Sequence, residues 1–124
     1  MRADSDFVWP AKARTTGRQL VRRLRKLLRG RVEQAYLFGS FSRGEASADS
    51  DVDLILVRKT TLPWPERGKP FADLQRALGA VDLLVYTPAE WRTMCGAPTG
   101  FLDQIRREWL PVISEPTDKR NSLR

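Results

Sequence analysis

Apolar residues recur at Leu20, Val21, Leu24, Leu27 and Leu28, the stripe of an amphipathic helix, and the spacing predicts a helix over 11–28 that stops at Gly30. Arg18, Arg22, Arg25, Lys26 and Arg29 fill the other positions, so the face away from the stripe is basic and reads either as a solvated helix surface or as a phosphate- or partner-binding face. Past this helix the pattern changes. Residues 32–38 (VEQAYLF) and 51–57 (DVDLILV) read as strands, and between them Gly39-Ser40 opens a short helix within a polar stretch. Residues 58–69 form a loop with Pro63-Trp64-Pro65 at its centre. Phe71, Leu74, Ala77 and Leu78 place a helix over 71–78, ended by Gly79. A third strand, 81–86 (VDLLVY), leads to Thr87-Pro88, a cap and first-turn proline. The last helix is expected over 101–110, ended by Pro111. This order predicts an α/β (α+β) fold, a mixed β-sheet flanked by helices.

At 124 residues the chain suits one domain, expected over 11–114, with a lead-in at 1–10 and a polar, flexible tail at 115–124. No apolar run approaches the roughly 20 residues of a membrane span. The N-terminal decapeptide lacks the basic-then-apolar order of a secretory signal, and the single cysteine, Cys95, excludes an internal disulfide. A cytoplasmic protein is expected. The net charge of +7 favours polyanionic ligands, whether nucleotides, nucleic acid or an acidic partner, without choosing among them. Histidine is absent, which excludes Ser-His-Asp and Cys-His catalysis and histidine-ligated zinc. Any catalysis falls to carboxylates, assisted by oxygen-preferring metals.

Those carboxylates stand out in residues 37–57. On a strand, Asp51 and Asp53 share a face about 7 Å apart, with Val52, Leu54 and Leu56 on the other. Two acids leading into an apolar strand repel unless a cation intervenes, and an all-oxygen set suits Mg²⁺. Read alone, the same pattern also fits a turn cap and a solvated strand acid. Gly39-Ser40 follows an apolar strand, where glycine admits close approach of a phosphate and the serine hydroxyl adds a donor. Arg43 lies within reach of a triphosphate oxygen, and equally of solvent.

Gly39-Ser40, ten intervening residues and Asp51-x-Asp53 together resemble the signature of the minimal nucleotidyltransferases of the DNA polymerase β-like superfamily, antitoxin type. Tyr36-Leu37-Phe38 before the glycine, Arg43-Gly44 after it and Ser50 before the first aspartate strengthen the likeness, as does VDLLVYTPAEW downstream. The resemblance covers residues 32–91. It implies the polymerase β-like nucleotidyltransferase fold. It also implies that Asp51 and Asp53 hold two Mg²⁺ ions and that Asp82 completes the ion activating the acceptor hydroxyl. Gly39 and Ser40 would then cradle the phosphates of ATP or another nucleoside triphosphate, with Arg43 as a further nucleotide contact. On strand 81–86, Asp82 shares a face with Leu84 and Tyr86; a strand-start acid facing solvent is the alternative reading.

Short chains of this type resemble the antitoxin half of toxin–antitoxin pairs, in which AMP is transferred from ATP to a tyrosine of a HEPN-domain ribonuclease. The resemblance therefore implies a protein adenylyltransferase with a HEPN-domain toxin as partner and the basic first helix as a docking face. Nucleotidylation of a small molecule, nucleotide addition to an RNA end, and a non-catalytic nucleotide- or toxin-binding module are the competing readings. Trp64, Trp91 and Trp109 are read as packing residues, and Tyr36 and Tyr86 as core.

Overall fold

The computed structural model describes residues 12–97 and 100–114. The expected lead-in and tail lie outside the described residues. Helix α1 (Gly17–Leu28) starts later than its hydrophobic stripe suggests. Thr16 and Gln19 form a reciprocal capping box, with bonds of 2.9 and 3.1 Å. That closed N-terminus leaves residues 12–14 as a separate 3-10 turn.

Strand β1 (Gln34–Phe38), helix α2 (Ser40–Arg43) and strand β2 (Val52–Val57) follow. Helix α3 (Ala72–Leu78) leads to strand β3 (Val81–Tyr86), and helix α4 (Pro88–Gly96) opens on a second capping box, Thr87 with Glu90. Helix α5 (Gly100–Arg106) and strand β4 (Leu110–Ile113) complete the described chain.

The last two elements correct the expectation of a helix over 101–110. The helix ends at Arg106, and Leu110–Ile113 pairs antiparallel with β1. Pro111 is accommodated because β4 is an edge strand, where a missing N–H need not break a ladder. A register shift at Ala35/Tyr36 marks the same irregularity. The sheet therefore has four strands in the order β3-β2-β1-β4, with β2 and β3 parallel and the other pairs antiparallel.

Alternation along the strands separates two cores. Leu37, Leu54, Leu56 and Val85 meet Leu20, Leu24 and Leu28 of α1 and Leu74 and Leu78 of α3. On the opposite face, Tyr36, Ile55 and Val57 meet Trp91 of α4 and Leu102 and Ile105 of α5. Trp109 stacks on Tyr36 at 4.0 Å, and Trp91 on the same ring at 5.6 Å, so both tryptophans pack as their sequence context suggests. Trp64 differs: it is 49% exposed and touches Tyr86 only at the sheet's margin. No helix among the described residues is long and apolar enough to cross a membrane.

Candidate active site

The second face is not covered along its whole length. Phe38, Asp53 and Asp82 occupy one row across three adjacent strands, since Phe38 pairs with Asp53 and Asp53 with Asp82. Register partners point the same way, with neighbouring strands about 4.8 Å apart. Asp53 is half-buried and Asp82 exposed, while Asp51 stands exposed just before β2. The rest of this face, from Tyr36, Ile55 and Leu84 onward, is packed beneath α4 and α5. The carboxylates thus mark the open end of an otherwise apolar face.

Gly39 sits against this row. Its φ of 78° and ψ of −152° suit glycine alone, and a Cβ built on it would collide with Oδ2 of Asp53 and lie 3.1 Å from Cγ. The Asp53 carboxylate rests directly over a bare α-carbon. Ser40 begins α2 beside it, and the Ser42 hydroxyl donates to the Gly39 carbonyl at 2.8 Å. Gly44, at φ 76°, closes α2.

Arg43, the last residue of α2, is held by two carboxylates. Its Nε donates to Glu45 at 2.9 Å and its Nη1 to Glu108 at 3.0 Å. These bonds raise its pKa above the ordinary guanidinium value. Glu108 was not foreseen from the sequence; it lies 65 residues away, in the turn that carries the chain from α5 to β4. No local pattern announces such a pair.

Asp53 is the electrostatic focus. Burial, then the charges of Asp82 and Asp51, push its carboxyl up to about 6, against the opposing pull of Arg43. A carboxylate destabilised by two like charges is a group in need of a cation. Among the described residues, no group of three acidic, cysteine or histidine side chains stands ready to hold a metal ion unaided. The donor set still fits Mg²⁺, which takes one or two protein carboxylates and completes its shell with waters and phosphate oxygens. Asp53 with Asp82 or Asp51 meets that requirement.

All six residues singled out from the sequence, Gly39, Ser40, Arg43, Asp51, Asp53 and Asp82, therefore lie around the β1–α2 turn and the starts of β2 and β3. Asp82 is exposed, yet it is the register partner of Asp53, on whose carboxyl its charge acts. Phe38 was read only as part of the apolar run before Gly39, with no role of its own; it flanks Asp53 and meets Phe101 edge-on at 6.3 Å, giving the row an apolar wall.

A mixed sheet carrying acids on two parallel neighbours, beside a Gly-Ser turn that leads into a short helix, defines a nucleotidyltransferase core. The family profile described as polymerase beta, nucleotidyltransferase matches residues 22–105, and the chain belongs to that family. A protein of Methanocaldococcus jannaschii, provisionally named a protein adenylyltransferase, is 38% identical over 40 residues. That match spans 32% of this chain and only 40% of the relative. A crystal structure of a toxin–antitoxin with AMP-PNP is similar at 25% identity and a TM-score of 0.56, covering 81% of this chain and 77% of that one. A toxin–antitoxin MntA–HpeT structure shares the fold, with a TM-score of 0.53 and 21% identity over 81% of this chain and 77% of that one.

Proposed function

We propose that this chain is a Mg²⁺-dependent adenylyltransferase that moves AMP from ATP to a hydroxyl of a partner protein, a HEPN-domain toxin, in the cytoplasm. One observation carries the reading: Asp53 and Asp82 are register partners on parallel strands, with the Asp53 carboxylate laid over Gly39. That arrangement joins an acidic metal site to a turn able to accept phosphate. The family membership, the relative's name and the AMP-PNP in a similar toxin–antitoxin structure support it.

In this reading, Asp51 and Asp53 would hold two Mg²⁺ ions, with Asp82 as a further ligand to one of them. Magnesium held there would supply acidification of the acceptor hydroxyl and neutralisation of charge on the pyrophosphate. The Gly39-Ser40 backbone and the Ser40 hydroxyl orient the β- and γ-phosphates, and Arg43 reaches a phosphate oxygen. The acceptor oxygen bonds to the α-phosphorus, the bond to the β-phosphate oxygen breaks, and pyrophosphate departs. The hydroxyl proton passes to Asp82, the acid on the exposed side of the row. Holding acceptor and phosphorus together supplies much of the rate.

The test is label transfer. With Mg²⁺ and the partner HEPN-domain protein, label from α-phosphate-labelled ATP becomes protein-bound, label from the γ-phosphate does not, and Asp53→Asn abolishes the reaction. Label appearing instead on RNA, or neutralisation of the partner without any transfer, overturns the reading.

A further inference from the structure

Helix α1 carries an ordered positive surface on the side of the protein away from the acids. Leu20, Leu24 and Leu28 bury against the sheet face opposite to Asp53, while Arg18, Arg22, Arg25, Lys26 and Arg29 are exposed. At 100° per residue, the four arginines fall within one narrow arc, one per turn, along about 16 Å of helix. Residues 17–29 contain no acid. Among the described residues, no ion pair engages Arg18, Arg22 or Arg29. Arg25 is anchored by donating to the Val112 carbonyl at 2.8 Å.

Helix electrostatics alone do not account for the stripe. Cations in the last turn, Arg25 and Lys26, complement the negative end of the helix dipole. Arg18 lies in the first turn, where the dipole disfavours a cation and where this helix has no acid. The stripe then runs into a groove of about 280 Å³ lined by Gly30, Arg31, Val32, Glu33, Arg58 and Lys59. Within it Arg31 is committed to Asp73, Arg58 lies over the Phe71 ring, and Glu33 is the one acid.

We infer that this face binds the phosphate backbone of a nucleic acid. A protein partner would need a desolvated apolar or aromatic centre, and this face offers none between its arginines. A nucleic acid read through unstacked bases would need aromatic stacking groups, and α1 carries none among its arginines, so contact is chiefly with phosphates and largely indifferent to sequence. This binding needs only α1, which packs on the sheet face opposite to Asp53, and does not require the nucleic acid to be the acceptor of nucleotide transfer.

The experiment measures fluorescence anisotropy of labelled RNA of about 20 nucleotides, single-stranded and as a duplex, with the full chain over a range of salt. Both forms bind with little sequence preference, and log K falls linearly with log salt. The triple variant Arg18→Gln, Arg22→Gln, Arg29→Gln, which leaves the Arg25–Val112 anchor intact, binds at least about tenfold more weakly, and its slope is shallower by about 2. The corresponding triple lysine variant retains binding, and all three proteins share one thermal melt. Absence of binding by the wild type at about 50 mM salt overturns the inference. So does an unchanged slope in the glutamine variant, or loss of partner association by that variant while RNA binding stays intact.

Discussion

Oδ2 of Asp53 lies 2.1 Å from where a Cβ would stand on Gly39, so the Gly39-Ser40 turn and the Asp53 carboxylate are sterically one unit. Gly39→Ala must hold φ at 78° and also displace the carboxylate. Strain of this kind costs about 1–3 kcal/mol. A displacement near 1 Å at a reacting centre costs about 10²-fold in rate. Gly44 is the control, with a φ of 76° but open space around its Cβ direction. Gly44→Ala loses about 1–2 kcal/mol of stability in urea titration, while its label transfer stays near wild type. Equal loss of activity in both variants would mean that backbone strain, and not the Asp53 clash, decides the outcome.

Asp53 also links stability to pH. Its folded-state pKa of about 6 stands above the ordinary 3.8, so between these values the folded chain holds a proton that the unfolded chain has released. This contribution is fully present below about pH 4 and is lost as pH rises through about 6. Unscreened, a shift of this size corresponds to about 3 kcal/mol. Half-exposure and screening reduce it to about 1–2 kcal/mol. Asp53→Asn should therefore unfold at higher urea than wild type at pH 7 and alike at pH 4, while transferring no label. Parallel curves at both pH values would show that Asp53 is not destabilised by its neighbours.

Metal binding should follow the same carboxyl. An ion must displace the Asp53 proton, so affinity for Mg²⁺, or for Mn²⁺ as a spectroscopic substitute, falls towards tenfold per pH unit below about 6. Asp82→Asn weakens the ion at neutral pH. Because Asp82 is exposed, unfolding free energy changes by no more than about 0.5 kcal/mol. A pH-independent metal affinity would remove Asp53 from the ligand set.

Sequence patterning revealed β2, β3 and both residues of the Thr87-Pro88 helix start because each depends on nearby residues. Alternation put Asp51 and Asp53 on one face, and the loop Gly39-Ser40 was visible as a strand-to-helix turn. The pairing of Asp53 with Asp82 was not visible in the same way, since a parallel register is set by how the 58–80 crossover packs. Strand β4 was hidden for a different reason. Leu110-Pro111-Val112-Ile113 contains a residue that ordinarily argues against a strand, and only the free edge of β1 makes it acceptable. The start of α1 depended on a single Thr16–Gln19 exchange that a hydrophobic stripe does not report.

Arg43 connects these levels, since the turn from α5 into β4 brings Glu108 to it. With Glu45 and Glu108 holding Nε and Nη1, the guanidinium is fixed beside Asp53, whose pKa it lowers. Arg43→Gln removes the proposed phosphate contact and a counter-charge together. KM for ATP should rise severalfold, and the acid limb of the pH–rate profile should move upward as Asp53 loses its opposing cation. Arg43→Lys keeps the charge but not the two-sided hold, so it should restore the pH limb and leave KM raised. Glu108→Gln separates the two effects: charge near Asp53 stays, orientation loosens, and KM rises without a shift of the limb. If Arg43→Gln lowers kcat alone, with KM and the limb unmoved, the arginine acts on the transition state and the ground-state phosphate contact is wrong.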